Sequence, residues 1–198
     1  MSVQDVAAAP NIRWRRSLQS ARDEARREGK LVLIYLFHHR CGGSRTMGAA
    51  TYPNPEVESY IEQHFVPVQF DVLEQPEVER QFNSDWTPTL IVEDTEGREH
   101  RRSQGYLDAE RFIGEMALAW LKDAIDRRDR ETAPERSDEA LKRTKNDPAR
   151  EPEALYWSAV VAYHYTDDRD DLIEGWNRLL ERFPQSEWAK RAGYIRQQ

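Results

Sequence analysis

Cysteine is almost absent from this sequence: Cys41 is the only one among 198 residues. One cysteine cannot form an internal disulfide, which excludes the disulfide framework of a small secreted protein. A lone thiol either packs in a core as a small apolar side chain or reacts with other molecules. Because Gly42 and Gly43 follow Cys41 and bring no side chains to cover its sulfur, the sequence favours a reactive thiol over an inert one.

Long apolar runs and an excess of basic residues are also missing. No apolar run approaches the ~20 residues that a membrane-spanning helix needs. The N-terminal stretch MSVQDVAAAPNIRW lacks the basic and apolar regions of a signal peptide. We therefore expect a cytoplasmic protein without a membrane partner, or a periplasmic one if a leader has been removed. Lys and Arg number 29 against 36 Asp and Glu, a net charge of −7. This acidic balance predicts no nucleic-acid partner, because phosphate binding needs a basic face.

Apolar residues are nevertheless frequent enough for a folded core, and their spacing predicts an α/β fold. Residues 31–37, LVLIYLF, form a continuous apolar run that is typical of a strand buried on both faces. A helical pattern over 16–30 precedes this run. A helix capped by Asn54 and a second strand, VPVQFDV, follow it. A short helix, two strand-like runs joined by TEG, and a long amphipathic helix after Asp108 complete the series. This order predicts a mixed central sheet with helices on both faces.

The composition changes after residue 126, which predicts three parts. Residues 1–126 form an α/β domain with an N-terminal helix. Residues 127–150 are charged and interrupted by proline, so we expect a solvated linker with one short helix near 137–145. Residues 151–198 carry helical apolar patterns and predict a C-terminal α-helical extension.

Three motifs, in this order along the chain, resemble those of the thioredoxin-like superfamily. CGGSRTM after the buried strand resembles the C-x-x-C active site that opens a helix. WTPT resembles the segment that presents a cis-proline opposite that site, and SQGYLDAERF resembles the glycine and final helix that close the fold. The resemblance covers about residues 12–125, and this part of the sequence is similar to a bacterial thioredoxin-like group. The resemblance implies a thioredoxin fold. The C-terminal helices resemble a tetratricopeptide-type (TPR-like) hairpin.

The resemblance implies a site that has only one thiol. In this family the first cysteine attacks a substrate disulfide and the second resolves the mixed disulfide. Ser44 occupies the second position, giving a CxxS motif, and a hydroxyl cannot perform the resolving step. Cys41 is then a monothiol nucleophile, and Ser44 donates a hydrogen bond to its thiolate. Pro88, expected in cis, holds the backbone of Thr87 as an edge for the substrate chain, and Trp86 offers an apolar wall.

Residues near the thiol are expected to tune it, although the sequence departs from the family at two positions. A cation at Arg40 and the free amides of a helix that begins at Gly42 and Gly43 lower the pKa of a thiol. Tyr35, however, stands where the family often has an acid that moves protons, and Arg40 stands where it often has tryptophan.

These departures leave two functions open. One is a thiol–disulfide oxidoreductase or isomerase-like activity with a single cysteine, which forms mixed disulfides with a protein or with glutathione as co-substrate. The other is a non-catalytic binding or adaptor module that recruits a protein partner through its helical tail. The sequence does not decide the partner's identity, the redox direction or the oligomeric state.

A metal site at the thiol is a weaker interpretation. His38 and His39 stand near Cys41, but zinc needs a third or fourth protein ligand and the other histidines are scattered along the chain. We therefore expect no metal and no bound cofactor. Asp71 ends the second predicted strand, where we expect it to accept hydrogen bonds in a turn.

Overall fold

The computed structural model describes residues 12–197. Residues 1–11 of the first predicted domain and residue 198 of the third lie outside this range. The chain divides into two compact units, with the boundary between Met116 and Ala117. None of the helices within the described range has both the length and the apolar composition needed to cross a membrane.

From residue 12 onward, the first unit contains four strands and five helices in the predicted order. The strands are β1 (Leu31–Phe37), β2 (Phe65–Asp71), β3 (Thr89–Glu93) and β4 (Glu99–Gln104). The helices are α1 (Leu18–Glu28), α2 (Gly42–Thr46), α3 (Pro55–His64), α4 (Glu77–Gln81) and the first part of α5 (Ala109–Arg127). A π-helical stretch, Met47–Thr51, continues α2.

The strands form one mixed sheet in the order β2-β1-β3-β4. β1 is parallel to β2 and antiparallel to β3, and β3 and β4 form an antiparallel pair. This arrangement confirms the predicted α/β fold, including the hairpin around TEG.

β1 is buried on both faces, as its continuous apolar sequence predicts. Alternate side chains of a strand point to opposite faces. On one face, a single apolar cluster joins β1 to α1 and α4 through Val32, Ile34, Leu36, Ala21, Ala25 and Val78. On the other, the ring of Tyr35 lies 5.1 Å from that of Tyr52, which lies 5.8 Å from the ring of Phe112 in α5. Helices therefore cover both faces of the sheet.

Local sequence signals set the end of α1, the helix before β1, and the start of α3, the helix before β2. Gly29 ends α1 at φ 66°, a left-handed conformation that glycine adopts without steric cost. The Asn54 side chain accepts hydrogen bonds from the amides of Glu56 and Val57, and Pro55 occupies the first turn of α3. A glycine therefore ends α1 just before β1, and α3, which leads directly into β2, begins at its own cap.

The second unit is helical. It contains the rest of α5, then α6 (Ala133–Thr144), α7 (Glu151–Thr166), α8 (Arg169–Arg182), α9 (Glu187–Ala192) and a 3-10 turn, Gly193–Gln197. Its core lies mainly between α7, α8 and α9. There the rings of Tyr156 and Trp176 stack with centroids 4.9 Å apart. Around them pack Ala159, Leu179 and Ala189, all buried.

The segment predicted as a charged linker contains α6, which begins four residues before the pattern indicates. The buried face of α6 is made mostly of small residues, Ala133, Ser137, Ala140 and Thr144. Its one large buried side chain, Arg136, donates to the Asp123 carboxylate at 2.6 Å and to the Trp120 carbonyl at 2.9 Å. A buried face made of small residues and one charge-paired arginine shows no helical repeat of large apolar residues. The three domain boundaries stay a prediction.

We predict that the crossing of α7 and α8 depends on Gly175. A Cβ atom at this position would lie 2.5 Å from the Cβ of Ala159. Gly175→Ala is therefore expected to lower the free energy of unfolding of the helical unit by about 1–3 kcal/mol through overpacking. Denaturant titration followed by tryptophan fluorescence measures this change.

Gly193→Ala is the matched control, because nothing lies within 4 Å of a Cβ added there. Alanine ordinarily stabilises a helix relative to glycine by about 1 kcal/mol. A Gly175→Ala variant as stable as the original chain, or more stable, would contradict the close crossing.

Candidate active site

Four loops meet at one edge of the sheet. They follow β1 and β2, precede β3 and follow β4, because β1 and β2 are parallel while β3 runs opposite to β1. The residues predicted as the site all lie in these loops or in α2. The structure therefore brings the CGGS and WTPT motifs together across 46 residues of chain.

Cys41 lies at the N-terminal end of α2 and faces the segment before β3. Its amide donates to the carbonyl of His38 at 2.8 Å, which closes a four-residue turn after β1. Its Sγ donates to the carbonyl oxygen of Thr87 at 3.2 Å. The Thr87–Pro88 peptide bond is cis, as predicted. The thiol is partly exposed, so an incoming molecule can reach the sulfur.

The two glycines after Cys41 have different surroundings. A Cβ at Gly43 would lie 2.9 Å from Pro88 Cδ and 3.7 Å from the Cβ of Tyr106, whereas a Cβ at Gly42 would meet nothing within 4 Å. A contact below 3.0 Å would force Pro88 or α2 to move. Gly43 therefore permits the close approach of α2 to the segment that contacts the thiol.

Hydrogen bonds stabilise the thiolate form of Cys41. Burial acts to raise the pKa of Cys41, because it disfavours the charged form. The amide of Ser44, the side chains of Thr87 and Ser44, and the amide of Gly43 together outweigh burial, so the pKa of Cys41 lies below its ordinary value. Of the residues expected to tune the thiol, Arg40 is exposed, and its amide donates to Nδ1 of His38 at 2.9 Å.

Two tyrosines lie beneath the first turn of α2. Tyr35, on β1, donates from its hydroxyl to the carbonyl of Ser44 at 3.4 Å. Burial raises the pKa of Tyr35 far above its ordinary value, and burial does the same for the pKa of Tyr52. Both hydroxyls therefore stay protonated at physiological pH and cannot take up a further proton from the thiol.

The structure adds a histidine–aspartate pair that sequence reasoning missed. Nδ1 of His39 lies 2.6 Å from Oδ2 of Asp71, whose side chain is only 1% exposed. The other oxygen of Asp71 accepts the amide of Leu73 at 3.0 Å, which is the turn role expected from the sequence. In the sheet register Asp71 is the partner of Phe37, two residues before His39. That register is the signal that could have found the pair.

Exposed apolar side chains lie in three loops at the same edge of the sheet as the thiol. Trp86, the predicted wall, is 62% exposed. Leu73 and Tyr106, which the sequence did not single out, are also exposed and lie in two other loops of the same edge. Within residues 12–197, no group of three or more His, Cys, Asp or Glu side chains has an arrangement that could hold a metal ion.

We predict that Gly43→Ala raises the pKa of Cys41. The added methyl group displaces α2 from Pro88 and weakens hydrogen bonds from Gly43, Ser44 and Thr87 to the thiolate. Losing one charge-assisted hydrogen bond to the thiolate is expected to raise the pKa of Cys41 by about one unit. The rate of iodoacetamide alkylation as a function of pH measures this pKa.

Gly42→Ala is the matched control, with the same chemical change in the same turn but in open space. Its alkylation profile is expected to match that of the original chain. Equal profiles for both alanine variants would show that the approach of α2 to Pro88 does not tune the thiol.

Comparison with known proteins identifies the first unit. The family model of the thioredoxin-like domain matches residues 18–120. No curated protein sequence matches the chain. The solution structure of a thioredoxin from Thermus thermophilus is 22% identical, with a TM-score of 0.52 over 59% of this chain and 93% of that one.

Two further solved structures are more distant. A DsbH oxidoreductase is 18% identical, with a TM-score of 0.46 over 61% of this chain and 90% of that one. The C-terminal domain of DsbD from Neisseria meningitidis, in the oxidised form, is 21% identical, with a TM-score of 0.42 over 54% and 91%. At these identities the likeness concerns the fold and not the reaction.

Proposed function

The chain belongs to the thioredoxin-like domain family, and on this premise we propose that it is a monothiol protein of thiol–disulfide exchange. Cys41 forms mixed disulfides with a protein or with glutathione. We propose the cytoplasm as its compartment, because thiols there are kept reduced. The single cysteine is the reason for proposing a monothiol reaction and not a dithiol cycle.

The proposed step is one exchange. The Cys41 thiolate attacks one sulfur of a disulfide, and a new S–S bond forms as the old one breaks. The electron pair leaves with the second sulfur, which takes up a proton and becomes a free thiol. Cys41 is thereby oxidised to the mixed disulfide, and the substrate disulfide is reduced. Because the Ser44 hydroxyl cannot displace the bound group, the mixed disulfide lasts until another thiol attacks it.

The observation that carries this proposal is the environment of the Cys41 sulfur. It is partly exposed, lies 3.2 Å from the Thr87 carbonyl, and has donors that lower its pKa. A thiolate at physiological pH is the form that attacks disulfides. In the proposed complex the Thr87 backbone pairs with the substrate chain, Trp86 and Pro88 line its path, and Ser44 holds the thiolate.

A second candidate is a binding module that uses the helical tail. α7, the first helix of the hairpin that we propose to be TPR-like, forms one wall of a cavity of about 400 Å³ whose lining includes Ile125, Arg128, Val161 and Tyr165. A protein partner could dock there without any chemistry at Cys41. The following experiment separates the two candidates.

We predict that oxidised glutathione adds one glutathionyl group to the intact protein at neutral pH, as measured by mass spectrometry. The adduct is expected on Cys41, and a reductant should remove it. Cys41→Ser is the control and should gain no mass. If Cys41 is alkylated by iodoacetamide but forms no adduct with glutathione or with a peptide disulfide, the exchange proposal is wrong and the binding module is favoured.

We also predict that Ser44→Cys restores a dithiol site. Cysteines at this spacing on a helix start bring their Cα atoms within the about 4.4–6.8 Å that a disulfide needs. The variant is expected to reduce insulin, while the original chain shows little activity. The gain should be modest, because Tyr35 cannot take up a proton.

Ser44→Ala is the control for Ser44→Cys, since it removes the hydroxyl without adding a thiol. It should show no insulin reduction. A Ser44→Cys variant that forms the internal disulfide yet stays inactive would show that this surface does not accept disulfide substrates.

A further inference from the structure

The buried carboxylate of Asp71 holds the imidazole of His39 in one orientation. An ionised carboxylate only accepts hydrogen bonds, so the 2.6 Å contact assigns the proton on Nδ1 to the side of Asp71. Nε2 is then the ring nitrogen available to exchange protons. The His39 side chain is 26% exposed, so solvent can renew its proton.

The turn after β1 connects this pair to the thiol. His39 and Arg40 are the central residues of the turn that the Cys41 amide closes on the His38 carbonyl. The first and last Cα atoms of such a turn lie within about 7 Å of each other. His39 is therefore anchored to β2 from the middle of a short turn that ends at Cys41.

The exchange step leaves one proton to be supplied. At Cys41 itself, hydrogen bonds lower the pKa of the thiol and so favour loss of its proton. The sulfur that leaves the substrate, in contrast, is a strong base when it comes from an alkyl disulfide, and exchange is faster when the leaving thiolate is a weaker base. Tyr35, beneath the helix, cannot shuttle protons because its hydroxyl is buried and tied to Ser44.

We propose that His39 is the general acid of the exchange reaction at Cys41 and that Asp71 is its positioning residue. This inference rests on the proposed function. As the Cys41–sulfur bond forms and the substrate S–S bond breaks, Nε2 of protonated His39 gives its proton to the departing sulfur. The products are the mixed disulfide, a neutral thiol and a neutral imidazole, which water reprotonates. The groups that face the ring are Asp71 from β2 and His38, whose ring centroid lies 5.7 Å away.

The test compares two uncharged disulfides that differ in their leaving group. Bis(2-hydroxyethyl) disulfide releases a strongly basic alkyl thiolate, and 2,2′-dithiodipyridine releases a delocalised, weakly basic one. A general acid accelerates the first reaction and hardly affects the second. His39→Asn is expected to slow exchange with the alkyl disulfide by about tenfold to a hundredfold, toward the low end of general-acid effects because water reaches the site. Exchange with the pyridyl disulfide should change little.

Two further variants complete the design. His38→Asn is the matched control, a neighbouring histidine in the same loop that is not bound to Asp71, and it should leave the ratio of the two rates unchanged. Asp71→Asn keeps the shape of the side chain but removes its charge. It should slow exchange with the alkyl disulfide more than exchange with the pyridyl disulfide, as His39→Asn does, but by a smaller factor.

Each outcome decides a separate point. If His39→Asn slows both disulfides equally, or neither, His39 is not a general acid and the inference is wrong. The inference is also wrong if His38→Asn lowers the alkyl rate as selectively as His39→Asn does. If the original chain reacts with neither disulfide while iodoacetamide still alkylates Cys41, the proposed function itself fails.

Discussion

Burial of β1 on both faces is the constraint on which the first unit depends. Every residue of this strand is buried, and the strand is paired to β2 on one side and to β3 on the other. A strand whose side chains are apolar apart from one tyrosine hydroxyl is typical of the centre of a sheet that helices cover on both faces. Its carboxyl end therefore opens at the edge where the loops after β2 and before β3 also lie. The position of Cys41 follows from the burial of seven residues that take no part in the chemistry.

In the proposed reaction, the site differs from a dithiol site in the groups that can transfer protons. In the proposed exchange, the hydroxyl of Ser44 stands in place of a second thiol and limits the reaction to one step. Beneath it, Tyr35 fills the space with a group that donates a hydrogen bond to Ser44 but releases no proton at physiological pH. Beneath α2 the interior therefore offers fixed hydrogen-bond donors and a tyrosine hydroxyl that stays protonated. Titratable groups stand on the outer side instead, where His39 lies between the buried carboxylate of Asp71 and solvent.

The sequence was most informative where one signal decided the structure. The run LVLIYLF predicts β1 because a continuous apolar run rich in β-branched and aromatic residues is typical of a central strand. The motif order predicts that Cys41 faces the Thr87–Pro88 segment. The His39–Asp71 pair was missed because it depends on the register of β2 against β1, and a shift of one residue would turn Asp71 to the other face. α6 was predicted too short because its buried face consists of small side chains and a charge-paired Arg136, which large-apolar periodicity does not detect.

In the proposed exchange, the geometry around Gly43 and the pair at His39 act on different halves of the reaction. The approach of α2 to Pro88 sets how much thiolate is present, because it brings the donors of Gly43, Ser44 and Thr87 to the sulfur. A more stable thiolate is also a weaker nucleophile, so lowering the thiol pKa alone gives a limited gain in rate. The remaining barrier lies in the departure of the substrate's second sulfur, which no donor to Cys41 can ease. In the proposed exchange, the protonation of that sulfur falls to His39, which a 2.6 Å contact with Asp71 holds in place.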